Sequence, residues 1–492
     1  MKKILYTAVL GTMLVLGAGC SKTKLDLYPY NQVATEQAFV DQQAVTFDVN
    51  GMYQGLRASG SYYVGGIWNI LGDVLADNLV LSQAGRQSQK TYYQWTYNST
   101  STYGLFTGGY TITRRANAIL ENIGGFTPGT FKNDAMGQAL AVRGLVYFDM
   151  ARAYSKIYVN AADADYTLPY VTTTSATNMP ASEPLKGFYD KVIADLVQAE
   201  GLISATGSGV TNIRMNKQAV AGLLARVYLY KGDYTNCIAA ATRAIGATPT
   251  ASTIPSIALF PGIWTDATAS DGAVLFKVKN TSLDNLNTQG VNYYQAVTGG
   301  IKSEYVVDYT FNSLFQATDV RKSSYISTSA YNGVMQNHII KYAGRAGTPA
   351  GVVDGKAIRV AEVLLARMEA EYRNGAATIP AAVADLILLK SNRYTGYVST
   401  VDAALTGTAL LNEILLQRRL ELAFEGDRFW DLKRLNQPVV RDAVHGENAD
   451  GSGTPPSSTI ATLAVGDFKF NLPYPQGELT FNPAIKQNPG YN

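Results

Sequence analysis

The sequence predicts a mainly α-helical protein: tetratricopeptide-like helix pairs stacked into a superhelical scaffold, with long irregular, loop-rich insertions. Three observations predict it. A helix-turn-helix unit runs from Ala221 to Pro249, the same grammar recurs on both sides of it, and two long segments between the repeats lose all helical period.

In the central unit, AGLLARVYLYKGDYTNCIAAATRAIGATP, Leu224 and Ala225 stand at the Leu-Gly pair of a tetratricopeptide motif and Tyr228 at its tyrosine. Ala241 and Ala244 take the small second-helix positions, Pro249 closes the unit, and Gly232-Asp233-Tyr234 makes the turn. Small residues let the two helices cross closely while Tyr228 fills the gap, so the motif is structural. Ala141–Tyr154 pairs in the same way with Tyr189–Leu202, and Ala357–Tyr372 with Ala381–Arg393. Such pairs cannot bury their apolar faces alone, so neighbours must stack.

At the N-terminus Lys2 and Lys3 precede an apolar run, Ile4 to Leu16, of signal-peptide length. A mature membrane span needs ~20 apolar residues, and no stretch of this chain supplies them. Small residues then lead to a thiol, Gly17-Ala18-Gly19-Cys20, the arrangement that lipoprotein processing requires. Residues 1–19 are therefore expected to be a leader and Cys20 the acylated first residue, which makes the membrane connection a lipid anchor. The usual lipobox leucine, three residues before the cysteine, is here Gly17, and an ordinary signal peptide is the alternative. Residues 20–34, with SKTKLDLYPYNQ, read as a tether.

Helices are expected to open at Thr35 and Glu36, with Phe39, Phe47, Met52 and Leu56 on one face, and again from Tyr62 to Val80. Leu81 to Phe106 is polar and aromatic without a period and reads as an irregular insertion. Helical patterns resume at Tyr110–Ile123, Asp134–Tyr158 and Leu185–Ile203. Residues 35–250 form an N-terminal helical region by this reading, and residues 251–492 a second region carrying the helix-poor segments Thr248–Lys356 and Val439–Gly466. Insertions of that length in a regular scaffold are more often functional than accidental.

Composition excludes several classes. Removing Lys2 and Lys3 leaves 39 basic against 38 acidic residues, no footprint for nucleic acid. One cysteine besides Cys20, Cys237, cannot form an internal disulfide. The two histidines, His338 and His445, have no second metal ligand at useful spacing, and neither a nucleophile elbow nor a phosphate-cradling glycine loop occurs. Asp163 with Asp165, and Asn448 to Gly451, are oxygen-rich loops without calcium-loop spacing. No metal, cofactor or catalytic residue is expected, and the chain reads as a binding protein, not an enzyme.

Two C-terminal segments carry a family resemblance: LNEILLQRRLELAFEGDRFWDLKRL, Leu411–Leu435, and LPYPQGELTFNPAIKQNPGY, Leu472–Tyr491. Together with the lipoprotein start, the LDLYP tether and AEVLLARMEAEYRNG, they resemble the RagB/SusD family of outer-membrane nutrient-binding lipoproteins of Bacteroidota. Asp427 in E-G-x-R and the order Phe429-Trp430 depart slightly from the family pattern. The resemblance implies a surface-exposed protein that captures oligosaccharide or polysaccharide and passes it to a TonB-dependent, SusC-like transporter. A peptide or protein ligand, or a polysaccharide-acting surface enzyme, are the alternatives. The charges Arg418, Arg419, Glu421, Glu425, Arg428, Asp431 and Arg434 fall at spacings that allow ion pairs, and are read as a structural network rather than an acid/base site.

Sugar recognition asks for flat aromatic faces flanked by hydrogen-bonding side chains. Arg86 to Tyr103 supplies Trp95 with Tyr92, Tyr93 and Tyr97, beside Arg86 and Asn98. The interval Asn285 to Tyr305 adds Asn292, Tyr293 and Tyr294, with Trp264 just before it, while Trp68 reads as core. The family's aromatic arc resembles this pairing of an early insertion with a middle loop. The assignment requires those rings to be exposed.

Overall fold

The computed structural model describes residues 38–58, 63, 66–101, 104–204, 212–249, 254–283, 288–454 and 458–491. The expected leader, Cys20, the tether, the helix start at Thr35 and Glu36, Tyr103 and Asn285 lie outside the described residues.

The chain divides into a short unit, residues 1–48, and a large one, residues 49–492. In the short unit the Asp41 carboxylate accepts the Ala44 N–H at 2.8 Å, capping the start of helix α1, Gln42–Ala58.

The large unit is mainly helical. After α2 (Trp68–Val74), α3 (Leu105–Asn122), α4 (Thr130–Tyr154) and α5 (Leu185–Leu202) pack in succession. They lead into α6 (Lys217–Lys231) and α7 (Tyr234–Ile245), then α8 (Val360–Arg373), α9 (Ile379–Ser391), α10 (Gly407–Glu421) and α11 (Arg428–Arg434). In α4, nearly every residue from Asp134 onward is buried, because α3 covers one side and α5 the other. Gly144 lets the Leu196 side chain lie against its backbone, and Arg143 grips Asp195 through two bonds of 2.6 and 2.8 Å.

The central repeat forms where its motif places it. Gly232 takes the left-handed conformation at the end of α6 (φ +76°), and the Asp233 carboxylate accepts the Asn236 N–H at 3.2 Å to start α7. Leu224, Ala225, Ala241 and Ala244 are buried, whereas Tyr228 is only half-buried, and Tyr230 packs inside instead. Across the break in sequence, α7 packs on α8, and Arg226 on α6 pairs with Glu362. Arg367 ties α8 to Asp385 of α9 at 2.7 and 2.9 Å.

Strands occupy the segments between helix groups. Among strands of three or more residues, β1 (Leu79–Leu81) is followed by β2 (Val274–Val278), β3 (Gln295–Val297), β4 (Gly300–Lys302) and β5 (Tyr305–Val307). Then come β6 (Ile326–Tyr331), β7 (Val334–Ile339) and β8 (Gly355–Arg359). A four-stranded sheet runs β3-β4-β6-β7, while β1 pairs antiparallel with β5 and β2 with β8.

Two expectations change. Among the described residues of the helix read from Tyr62 to Val80, only Trp68–Val74 is α-helical, and its end is strand β1, with Leu79 opposite Val307 and Leu81 opposite Tyr305. Residues 66–80 are all buried, so apolar spacing could not separate helix from strand. Similarly, Ala357–Arg359 belongs to β8, and the helix starts at Val360.

Candidate functional site

The early insertion and the middle segment, read from the sequence as two halves of one ligand face, do meet. Glu304, buried between them, is the joint. Its Oε1 accepts from Arg86 Nε at 2.8 Å and its Oε2 from the Ser88 N–H at 2.8 Å, while its own N–H donates to Asn292 O at 2.8 Å. The Ser82 N–H donates to Glu304 O at 2.9 Å, continuing the β1–β5 ladder. Gly85 lies so close that a Cβ there would sit 2.6 Å from Glu304 Cα.

Among the described residues this joint holds the Arg86 guanidinium through Nε alone, and its side chain stays 59% exposed. The two terminal nitrogens therefore face solvent as oriented donors. Exposed Gln83 and Lys90 lie on the same loop, Lys90 donating to Gln87 Oε1 at 3.1 Å, and Tyr294, two residues beyond Asn292 on the middle segment, is half-buried. The site is a polar, oriented surface with one partly exposed ring.

The remaining predicted aromatics are not on it. Tyr92, Tyr93, Trp95, Tyr97, Trp264 and Tyr293 are all buried, at 0 to 5% exposure, and so is Asn292. A ring can stack on a sugar only if a face is free, and these faces are occupied. Arg441 lies over Tyr93 and Trp95, Lys469 over Tyr97, and Lys341 over Trp264 at 4.0 Å. Tyr293 packs against Tyr342 and Phe424. Trp95 Nε1 donates to Leu75 O at 2.9 Å. These six rings are core, and their assignment as sugar platforms is corrected accordingly. Trp68, read as core, is buried against Trp430. Asn98 is exposed, but it caps its own turn, accepting from Thr100 N at 3.0 Å, beside Ser99, whose carbonyl accepts the Gln476 N–H. Sequence reading missed Glu304 and Gly85, and neither carried a local signal: Glu304 follows Lys302 and Ser303 in a polar stretch, and Gly85 is one of many loop glycines.

The charges of the Leu411–Leu435 signature form a buried network. Glu421 receives Arg393 at 2.9 and 3.0 Å and Arg359 at 3.1 Å, which hold its carboxyl well below the ordinary range despite burial. Glu425 receives Arg359 at 2.7 and 2.6 Å and Lys341 at 2.8 Å. Arg418 and Arg434 clamp Asp431, each at 2.7 Å, and hold its pKa down at about 2. Carboxyls so depressed are poor proton donors near neutral pH. Asp431–Arg434 is a local i,i+3 pair and Arg418–Asp431 joins α10 to α11, while Arg359, Arg393 and Lys341 reach in from outside the signature, and Arg428 reaches out to Asp77. Gly426 (φ +81°) joins α10 to α11 where a Cβ would meet Trp68 O at 2.6 Å, and its N–H donates to Asp73 Oδ2 at 2.7 Å. The E-G-D-R motif thus serves a backbone crossing.

His338 bonds Ser303 and Ser329 O; His445 bonds Asp308 at 2.7 Å and Tyr93 OH at 3.1 Å. Lys186 and Lys156 take the Asp163 and Asp165 carboxylates, and Asp450 bonds Ser452. Among the described residues no group of three or more His, Cys, Asp or Glu could hold a metal ion, and no helix is long and apolar enough to cross a membrane.

Residues 276–491 match the family described as the SusD family, and residues 25–229 match one described as starch-binding, associating with the outer membrane. The SusD-like protein P2 of Formosa agariphila is 26% identical, over 100% of both chains. A putative sugar binding protein from Bacteroides vulgatus is 26% identical, with a TM-score of 0.76 over 92% of this chain and 98% of that one. A SusD superfamily protein, also from Bacteroides vulgatus, is 25% identical, with a TM-score of 0.77 over 92% and 99%.

Proposed function

The chain belongs to the SusD/RagB family, and from that premise we propose that it binds glycan at the outer membrane through the surface that Glu304 assembles from Arg86 and the Tyr294 segment. It is a binding protein and not an enzyme. The observation that supports this site is the Arg86–Glu304 bond, which holds a guanidinium by one edge and offers the other edge outward. Hydroxyl pairs on a sugar present acceptors at the spacing of two guanidinium nitrogens, and Tyr294 offers an apolar face and a phenol beside them.

In this reading Cys20 carries the lipid that keeps the protein at the membrane, and residues 20–34 hold the body clear of it. A TonB-dependent, SusC-like transporter receives the captured oligosaccharide. Recognition involves ring contact and hydrogen bonds, with no covalent step.

Affinity electrophoresis through gels containing plant, fungal and host polysaccharides tests the proposal. At least one polysaccharide should retard the parent, and Arg86→Ala or Tyr294→Ala should abolish the retardation while circular dichroism stays unchanged. No retardation by any member of the panel, or retardation indifferent to both substitutions, rejects the site. Release of reducing ends on long incubation would reject the binding role in favour of hydrolysis.

A further inference from the structure

We infer that a groove between α3 and the C-terminal segment is a second ligand site, shaped for a neutral pyranose unit of a glycan chain. It deepens the glycan-binding reading but uses none of the residues around Glu304. The groove encloses about 490 Å³ and is lined, among others, by Tyr110, Arg114, Asn178, Met179, Glu478 and Phe481. Cavities of a few hundred Å³ suit small ligands.

Two properties coincide in it. In a chain whose predicted rings are nearly all sealed, Phe481 is 79% exposed and Met179, lining the same groove, 62%. Keeping two large apolar side chains in water is unfavourable unless something covers them. Beside them, Arg114 is exposed and Glu478 half-exposed, and among the described residues neither is in an ion pair, unlike most other charges of this protein.

The frame that carries these side chains is braced. Tyr110 OH donates to Pro169 O at 2.9 Å, and Asn117 Nδ2 to Val171 O at 3.0 Å. Thr174 donates its N–H and hydroxyl to Glu121 at 2.9 and 2.5 Å. On the opposite wall Asn482 Nδ2 donates to Pro180 O at 2.8 Å, the Ser182 N–H to Ala484 O at 3.2 Å, and the Lys486 N–H to Ser182 Oγ at 3.0 Å. A braced groove lowers the ordering cost of binding.

The lining selects the ligand chemistry. Phe481 and Met179 suit the C–H face of a sugar ring, and Arg114, Asn178 and Glu478 supply donors and acceptors for its hydroxyls. Arg114 and Glu478 carry opposite charges, so an ionised ligand that gains one must face the other. A neutral polyol satisfies both. Two separate contacts on one polysaccharide also raise its residence on the protein without strengthening either contact.

Hydroxyl-radical footprinting of the purified protein, read by mass spectrometry, tests this site and the Glu304 surface together. The probes are neutral gluco-, manno-, xylo- and galacto-oligosaccharides, an oligogalacturonate, and a casein peptide digest. We expect one neutral series to protect Met179 and Phe481 saturably, and Arg114→Ala or Glu478→Gln to weaken that protection roughly tenfold or more. Protection of Tyr294 alone overturns the groove and leaves the first site standing. Protection of Met179 and Phe481 without Tyr294 supports the groove and rejects the first site. Protection of the groove only by the uronate or by peptide overturns the neutral-sugar assignment, and protection of neither position by any probe overturns both sites.

Discussion

The Arg441 guanidinium lies 4.2 Å from the centroid of the Trp95 ring, and its Nη1 donates to the Tyr93 carbonyl at 2.7 Å. Its Nε donates to Ala76 O at 3.0 Å, so a residue from the C-terminal quarter closes the loop after α2. No carboxylate neutralises Arg441 in an ion pair among the described residues; ring faces and carbonyls do so, and burial lowers its pKa. Trp95→Ala should therefore act on stability, costing about 3 to 5 kcal/mol as buried large-to-small changes at tryptophan do. Chemical denaturation will show the loss. A normal unfolding midpoint combined with lost glycan retention would mean that Trp95 contacts ligand after all.

Glu421 makes a second prediction, one that depends on pH. Its folded pKa lies well below the unfolded value near 4.5, because Arg393, Arg359 and Arg321 surround it. A depressed carboxyl contributes stability that is present above the unfolded pKa and is lost as pH falls through the folded one. Glu421→Gln leaves buried guanidinium groups uncompensated and should cost about 3 to 5 kcal/mol at pH 7. Below pH 4.5 the gap between parent and variant should narrow steadily. Denaturant titrations at pH 7, 5 and 3.5 measure it; a gap that does not change with pH would show that Glu421 is not ionised in the folded protein.

The helical scaffold was legible because its evidence is local. Gly232 and Asp233 mark a turn within five residues, and the alanines of α7 lie at helical spacing on one side. The ligand face was not legible in the same way. Trp95, Trp264 and Tyr293 look like sugar platforms in the sequence, and their burial is decided by Arg441, Lys341 and Phe424 respectively, all distant in sequence. A cation over an aromatic ring leaves the same composition whether the ring is inside or outside. Arg86 was found for its residue type, but its orientation depends on Glu304, 218 residues away. Phe481 belongs to a segment that carried the family resemblance, and that structural role hid its exposure.

Cys237 offers a chemical check on the core. Its Sγ faces Ala366 O across the α7–α8 contact, and burial pushes the thiol pKa up. Thiolate is the reactive form, so both access and ionisation oppose modification. Iodoacetamide at pH 8 should leave Cys237 unmodified in the folded protein and alkylate it fully in guanidinium. Rapid labelling without denaturant would show that α7 separates from α8 in the native state.

Gly85 and Arg86 separate the geometry of the proposed site from its chemistry. A Cβ at position 85 would stand 2.6 Å from Glu304 Cα and 3.1 Å from Ser303 O, both backbone atoms that cannot swing aside. Gly85→Ala must therefore lift the loop from the middle segment, which breaks the Arg86–Glu304 and Ser88–Glu304 bonds together and leaves the buried Glu304 carboxylate without either partner. Arg86→Ala removes the ligand-facing donors but leaves the Ser88 N–H on Glu304 Oε2 and the loop in place. Both variants should lose glycan retention. Only Gly85→Ala should also expose the Ser88 amide to hydrogen exchange, since that N–H is held by Glu304 at 2.8 Å. Exchange measured on the two variants decides the point: equal protection at Ser88 in both would mean that the loop does not depend on the glycine, and that the surface over Glu304 is assembled in some other way.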